Sequence, residues 1–347
     1  MRRERALLKR RERVRWGVLS TARIGVEKVI PAMQRGRWAT VTAIASRDLQ
    51  RAREAARRLG LKRAYGSYEE LLADPEVEAV YNPLPNHLHV PWSILAAEAG
   101  KHVLCEKPLA LSVAETLELL RAQERTGVLI QEAFMVRTHP QWIATRDLVR
   151  EGRIGALRSI MGYFSYFNRD EANIRNRLAY GGGALLDIGC YTINISRFIF
   201  EDEPLRALGL IERDPEWQVD RLTSAILEFP RGQSVFTCST QVSPYQRMQF
   251  FGTEGRIEVE MPFNAPPDKG CRIILAGRDG IFGPVKSRQF KPANQYTIQC
   301  DLFSRAVRGG AKQPPVPLAD ALSNMAAIEA VFRSSETGRW EDVQQFG

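Results

Sequence analysis

Short apolar runs alternate with amphipathic stretches through the first third of the chain. Residues 14–20 (VRWGVLS) are a run of strand length, and a helix-like segment comes next over about 23–33. Residues 41–46 (VTAIAS) predict a second strand, and 49–59 a charged amphipathic helix. Residues 77–81, 103–105 and 128–132 (VLIQE) predict three more strands, with helices over about 87–99 and 112–126 between them. Strands alternating with helices in this rhythm imply βαβ crossovers, hence a parallel sheet covered on both faces.

Past residue 135 the rhythm changes. A helix over 140–151, a strand over 158–167 and a helix over about 183–200 lead into closely spaced strands at 223–229, 234–239, 248–251, 256–260 and 272–275. Turns such as Pro230-Arg-Gly and Gly252-Thr-Glu-Gly255 separate those strands, the punctuation of antiparallel hairpins. Helices near 295–308 and 318–336 close the chain. The expected fold class is α/β plus α+β: an N-terminal Rossmann parallel sheet over 14–135, then a C-terminal domain over 136–347 on a large, mostly antiparallel open sheet.

The chain has 347 residues, 44% hydrophobic and 26% charged, a globular composition suited to two domains. Its formal charge of +9 is concentrated in residues 1–13, which carry seven Lys/Arg against two Glu. The basicity therefore belongs mainly to a tail, expected to be solvated or disordered, and argues against a nucleic-acid surface on the body. Arg2-Arg3 is not succeeded by an apolar segment, so export is not expected, nor is a membrane span. The five cysteines are scattered and never paired as C-x-x-C, which suits a reducing cytoplasm and gives no metal or disulfide framework.

Candidate chemistry starts where the first strand ends. Ser20-Thr21-Ala22-Arg23-Ile24-Gly25 has the spacing of a dinucleotide fingerprint, with two of three glycines replaced by small residues. The physical need is a tight turn and a helix amino terminus that presents N–H groups to a pyrophosphate. The second strand ends in Ser46-Arg47-Asp48. A hydroxyl and a guanidinium suit the 2′-phosphate of NADP, while Asp48 keeps NAD open if the strand runs longer.

Three further segments carry polar groups. Pro85-Asn86-His87-Leu88-His89 and Cys105-Glu106-Lys107-Pro108 both come after predicted parallel strands, where ligands of open α/β sheets bind. In Gly181-Gly-Gly-Ala-Leu-Leu-Asp187-Ile-Gly-Cys-Tyr191, Asp187 and Tyr191 are four apart and share a helix face. Taken in order, these motifs resemble the glucose–fructose oxidoreductase, inositol dehydrogenase and rhizopine-catabolism (Gfo/Idh/MocA) family. The segments 132–140 and Asn173-Ile-Arg175 resemble its branch of aldose and dihydrodiol dehydrogenases.

The resemblance implies a nicotinamide cofactor, a sugar-like substrate, and Lys107, Asp187 and Tyr191 around the reacting carbon. It implies homodimers or homotetramers formed through the C-terminal sheet. Pro85, Asn86, His89 and Glu106 are then expected at the cofactor or in structuring its loop, and Arg137, His139 and Arg175 at the substrate or in salt bridges and caps. Inositol dehydrogenases have His where Tyr191 stands, so the proton passes here to a phenol. A lysine ammonium nearby would lower a tyrosine's ordinary pKa of about 10 toward neutrality.

The function expected is an NADP-preferring aldose 1-dehydrogenase. A glucose–fructose-type oxidoreductase and a trans-dihydrodiol dehydrogenase are rivals within the same chemistry. A nicotinamide-dependent glycosidase and a non-catalytic nucleotide sensor are rivals outside it. His87 and His89 lack a third partner at metal-ligand spacing, so no metal is expected.

Overall fold

The computed structural model describes residues 13–278 and 283–346, so nearly all of the basic tail (1–12) lies outside the described residues. The chain forms two compact units, the first of 1–135 with 296–321, the second of 136–295 with 322–347.

The first unit holds six strands: β1 (Val14–Leu19), β2 (Ala39–Ala45), β3 (Arg63–Tyr65), β4 (Ala79–Asn82), β5 (His102–Cys105) and β6 (Ile130–Glu132). They pair in the order β3-β2-β1-β4-β5-β6, all parallel. Period-two alternation sends neighbouring side chains to opposite cores. On β5, Leu104 joins the cluster of Trp16, Ile30 and Met33, while Val103 and Cys105 join that of Leu71, Ala96 and Leu119. On β1, Leu71 packs directly over Gly17, where a Cβ would lie 2.6 Å from its terminal methyl.

The segment 296–321 corrects the expectation that everything past 136 forms one domain. The helix Gln295–Arg308 brings Phe303 against Trp16 at 5.6 Å between ring centroids, and Ser304 accepts the Trp16 indole N–H at 3.0 Å. A buried indole needs both an apolar cover and an acceptor, and this distant helix provides the two together.

The second unit carries β7 (Leu157–Phe167), β8 (Arg206–Arg213), β9 (Asp220–Phe229), β10 (Gly232–Ser239), β11 (Gln241–Gly252), β12 (Arg256–Val259), β13 (Arg272–Ala276), β14 (Val285–Gln289) and β15 (Glu341–Asp342). Among the described residues they form one sheet, β14-β13-β12-β11-β7-β10-β9-β8-β15. Only β10 and β7 run parallel; the other pairs are antiparallel. Sequence pattern did not indicate β3, the helix Tyr68–Ala73, β8, β14 or β15. Each is short, or half-exposed with a weak alternation, as in Leu208–Ile211 of β8.

Candidate active site

In the first unit, the predicted cofactor residues leave the carboxyl edge of one parallel sheet. Ser20–Ile24 come directly after β1, Ser46 and Arg47 after β2, Pro85 and Asn86 after β4, and Glu106 and Lys107 after β5. Ser20 takes φ 91°, the left-handed region that glycine ordinarily fills. The turn is thus made without the first fingerprint glycine, and the Ser20 hydroxyl accepts the Ala22 N–H at 3.2 Å. The helix beyond it contains a π-turn, Gly25–Val29, continuing into Ile30–Arg35. Its first bond runs from the Val26 N–H to the Ala22 carbonyl at 3.0 Å. The N–H groups ahead of that bond have no intrahelical acceptor, the arrangement an anion occupies. A Cβ on Gly25 would stand 3.6 Å from both Tyr81 and Pro83, an ordinary contact, so this position permits a small residue without demanding glycine.

At the end of β2 the structure separates two readings of Ser46-Arg47-Asp48. The strand stops at Ala45, and Asp48 caps the helix Leu49–Leu59 by accepting the N–H groups of Gln50 at 2.9 Å and Arg51 at 3.2 Å. Both bonds fall on Oδ1, so the cap engages one oxygen of this half-exposed carboxylate. Ser46 and Arg47 come directly after the strand, and Ser46 accepts the Asp48 N–H at 3.2 Å. These residues fit an adenine dinucleotide bearing a 2′-phosphate.

His89 is buried between two carbonyls, 2.7 Å from Leu84 through Nε2 and 2.7 Å from Pro108 through Nδ1. Each ring nitrogen faces a carbonyl, one on the loop after β4 and one on the loop bearing Lys107, and the single N–H of the neutral ring donates to one of the two according to its tautomer. Burial drives its pKa down to about 4, against the opposing pull of the two carbonyls. The Lys107–Pro108 bond is cis. Glu132 accepts the Leu109 N–H at 2.8 Å and so braces the same loop from β6. Tyr81 donates its hydroxyl to Glu106 at 2.5 Å, and burial, then the Glu106 charge, raises that phenol's pKa well above its ordinary value.

In the second unit, Asp187 and Tyr191 lie on one helix. A π-turn, Leu185–Gly189, carries Asp187 and runs into Cys190–Phe200, which carries Tyr191. Arg175 donates Nε–H to Asp187 Oδ2 at 2.9 Å, and Tyr166 of β7 donates its hydroxyl to the same oxygen at 2.5 Å. Two donors on one carboxylate oxygen suit the anion. The Asp187 charge in turn raises the Arg175 pKa above its usual range, while burial and that charge raise Tyr166. Gly182 makes the pairing possible, since a Cβ there would collide with the Arg175 carbonyl. Tyr191 is buried against Phe263 and Phe164, at ring distances of 5.3 and 5.9 Å.

Arg137 is held on the same helix, donating to Asn194 at 3.2 Å with its guanidinium 4.5 Å from the Phe198 ring centroid. His139 takes the capping role, accepting the Gln141 N–H at 3.3 Å ahead of the helix Pro140–Arg150. Tyr166, Tyr81 and the bracing by Glu132 carry no signal in the sequence. Tyr166 lies in a predicted strand, but alternation names a face and not a partner.

A left-handed turn into a helix at the edge of a parallel sheet is the arrangement in which Rossmann domains hold a dinucleotide. The family models agree: the Gfo/Idh/MocA oxidoreductase family with an NAD-binding Rossmann fold matches residues 14–134, and its C-terminal domain matches 142–258. The chain belongs to the Gfo/Idh/MocA family and is a sugar or polyol oxidoreductase with an NAD(P)-binding Rossmann domain. It is 50% identical to an uncharacterized oxidoreductase of Rhizobium meliloti over 95% of this chain and 99% of the relative. It is 39% identical to the D-xylose 1-dehydrogenase (NADP(+)) 2 of Haloferax volcanii over 93% of this chain and 98% of the relative. Among solved structures it resembles KijD10, a 3-ketoreductase from Actinomadura kijaniata in complex with NADP and TDP-benzene. The TM-score is 0.87 at 29% identity, with 93% of this chain and 98% of that chain covered. No described helix is long and apolar enough to cross a membrane.

Proposed function

We propose that the chain is an NADP-preferring aldose 1-dehydrogenase that oxidises the anomeric CH–OH of a free sugar. The observation that carries this reading is the Asp187 carboxylate, fixed by Arg175 and Tyr166 on the helix that bears Tyr191. An alcohol oxidation needs a base for the hydroxyl proton and a group that orients the neighbouring hydroxyls. Tyr191 takes the proton at its phenolic oxygen and Asp187 accepts from an adjacent sugar hydroxyl, while Lys107 is the group proposed to hold the reacting oxygen. Bound NADP supplies the hydride acceptor. Arg137 stiffens the helix through Asn194 and Phe198, and Arg175 acts on the substrate through Asp187.

The coenzyme preference rests on Ser46 and Arg47, with Asp48 engaged as a helix cap. Ser20, Thr21, Ala22, Arg23 and Ile24 line the pyrophosphate turn in this reading, and Pro85, Asn86 and Glu106 face the same cofactor. The 39% identity to an enzyme named for xylose and NADP(+) supports both halves of the proposal. Exposed Met161, Phe167, Leu210 and Tyr245 on strands of the nine-stranded sheet support a homo-oligomer formed through it.

The test is a panel of aldoses, polyols and dihydrodiols with NAD and NADP separately, following absorbance of the reduced coenzyme. Net reduction of NADP by free aldoses is the expected result. Reduction with dihydrodiols alone, or no net reduction with any free aldose, defeats it.

A further inference from the structure

Ahead of the π-turn that carries Asp187, one glycine is dictated by a carboxylate from a distant strand. Gly183 takes φ 114°, and a Cβ there would collide with Oδ1 of Asp220. Asp220 opens β9 and is 2% exposed. Its Oδ2 accepts the Leu185 N–H at 2.6 Å and the Thr223 hydroxyl at 3.0 Å. Leu185 is the first residue of the π-turn, and Ala184 before it has no side chain able to cap. A residue 35 positions away therefore satisfies a donor that the helix start cannot satisfy locally, and its charge complements the helix dipole. The wide π-turn sets the phase of the helix Cys190–Phe200, so the point where it is pinned decides where Asp187 and Tyr191 project.

We propose that Asp220 is a positioning residue for the reaction: its buried carboxylate pins the amino end of the π-turn and so orients Asp187 and Tyr191. The inference rests on the reading of those two as reaction-centre residues. Burial raises the Asp220 carboxyl to about 6, opposed by the bonds from Leu185 and Thr223. Arg213 on β8 pulls it down further, and Cys238 on β10 faces it, a thiol that burial and then the Asp220 charge push upward. Below about pH 6 the carboxyl is neutral, the charge at the helix end is lost, and turnover falls.

Thr223→Val removes one donor and leaves Asp220 itself in place. It shifts the acid limb of kcat upward by roughly half to one pH unit, with coenzyme Kd unchanged. Asp220→Asn abolishes that limb and lowers kcat at least about tenfold, with a smaller change in sugar KM. An unmoved limb in Thr223→Val overturns the proposal, even where Asp220→Asn fails to fold. Asp187→Asn and Tyr191→Phe, assayed alongside, separate the two readings. Full activity in both defeats the reaction-centre reading and this inference with it. Their inactivity beside a wild-type Asp220→Asn defeats the anchor alone.

Discussion

Arg175 and Asp187 form an ion pair at 2.9 Å across a glycine-rich turn, so the residue expected at the substrate acts first on the carboxylate of the proposed reaction centre. Removing the guanidinium takes a charged donor from a buried acid. Arg175→Met therefore lowers kcat by about tenfold or more, because hydrogen bonds to charged groups contribute roughly 1.5–3 kcal/mol. Arg175→Lys recovers part of the loss through charge alone. Steady-state kinetics of the two variants check the order; equal activity for Met and Lys contradicts it.

Tyr166→Phe takes away the other donor to the same oxygen. The ring keeps its packing, so the fold survives, and kcat falls by a factor on the order of ten while coenzyme affinity is unchanged. Thermal unfolding and coenzyme titration of the variant separate this outcome from a general loss of structure.

Lys107→Met and Tyr191→Phe are expected to cut turnover by two or more orders of magnitude. Coenzyme still binds in both, which fluorescence quenching by NADPH reports. Near-normal turnover in either variant removes that residue from the mechanism.

Coenzyme preference divides between neighbouring residues. Arg47→Ala lowers kcat/KM for NADP by roughly ten- to a hundredfold and leaves NAD nearly unaffected, because a guanidinium forms charge-assisted bonds with a 2′-phosphate that a ribose hydroxyl cannot match. Asp48→Asn leaves the preference unchanged and costs at most about 1 kcal/mol, since Asn caps a helix nearly as well. A switch toward NAD in Asp48→Asn runs against the capping geometry.

His89 makes stability depend on pH. Its pKa is lowered from 6.5 to about 4, so the unfolded chain binds the proton that the folded chain refuses. The stabilisation is complete above pH 6.5 and is lost as pH falls toward 4, about 3 kcal/mol in all. Asp220 works in the opposite sense: its folded value of about 6 exceeds the ordinary 3.8, so its contribution is present at low pH and lost as pH rises. Urea unfolding of wild type and His89→Gln across this range isolates the histidine as the difference in slope. Parallel curves rule it out.

Much of the architecture was legible in the chain because its causes are local. The helices at 49–59 and 295–308 begin and end where the pattern placed them, and β1, β2, β5, β7 and β10 differ by a residue or two at their ends. Periodicity, turn residues and caps act within a few positions of one another, and they suffice to distinguish a parallel from an antiparallel half. The motif order names Lys107, Asp187 and Tyr191 as the reaction centre, which stands as a proposal for their variants to test. What it misread was how far the first unit extends, since Phe303 and Ser304 cover Trp16 from nearly three hundred residues away.

Partnership was decided only in three dimensions. Asp48 reads from sequence as a candidate ribose acceptor and is seen to cap a helix only in the structure, and Ser20 reveals its glycine-like turn only through its backbone angle. Tyr166 and Asp220 carry no motif; each matters because sheet pairing brings a strand beside the helix of Asp187. Sequence patterns record which face a side chain takes, a property of its own segment. Which polar group waits on the opposing element depends on how separate segments pair, and no local pattern encodes that.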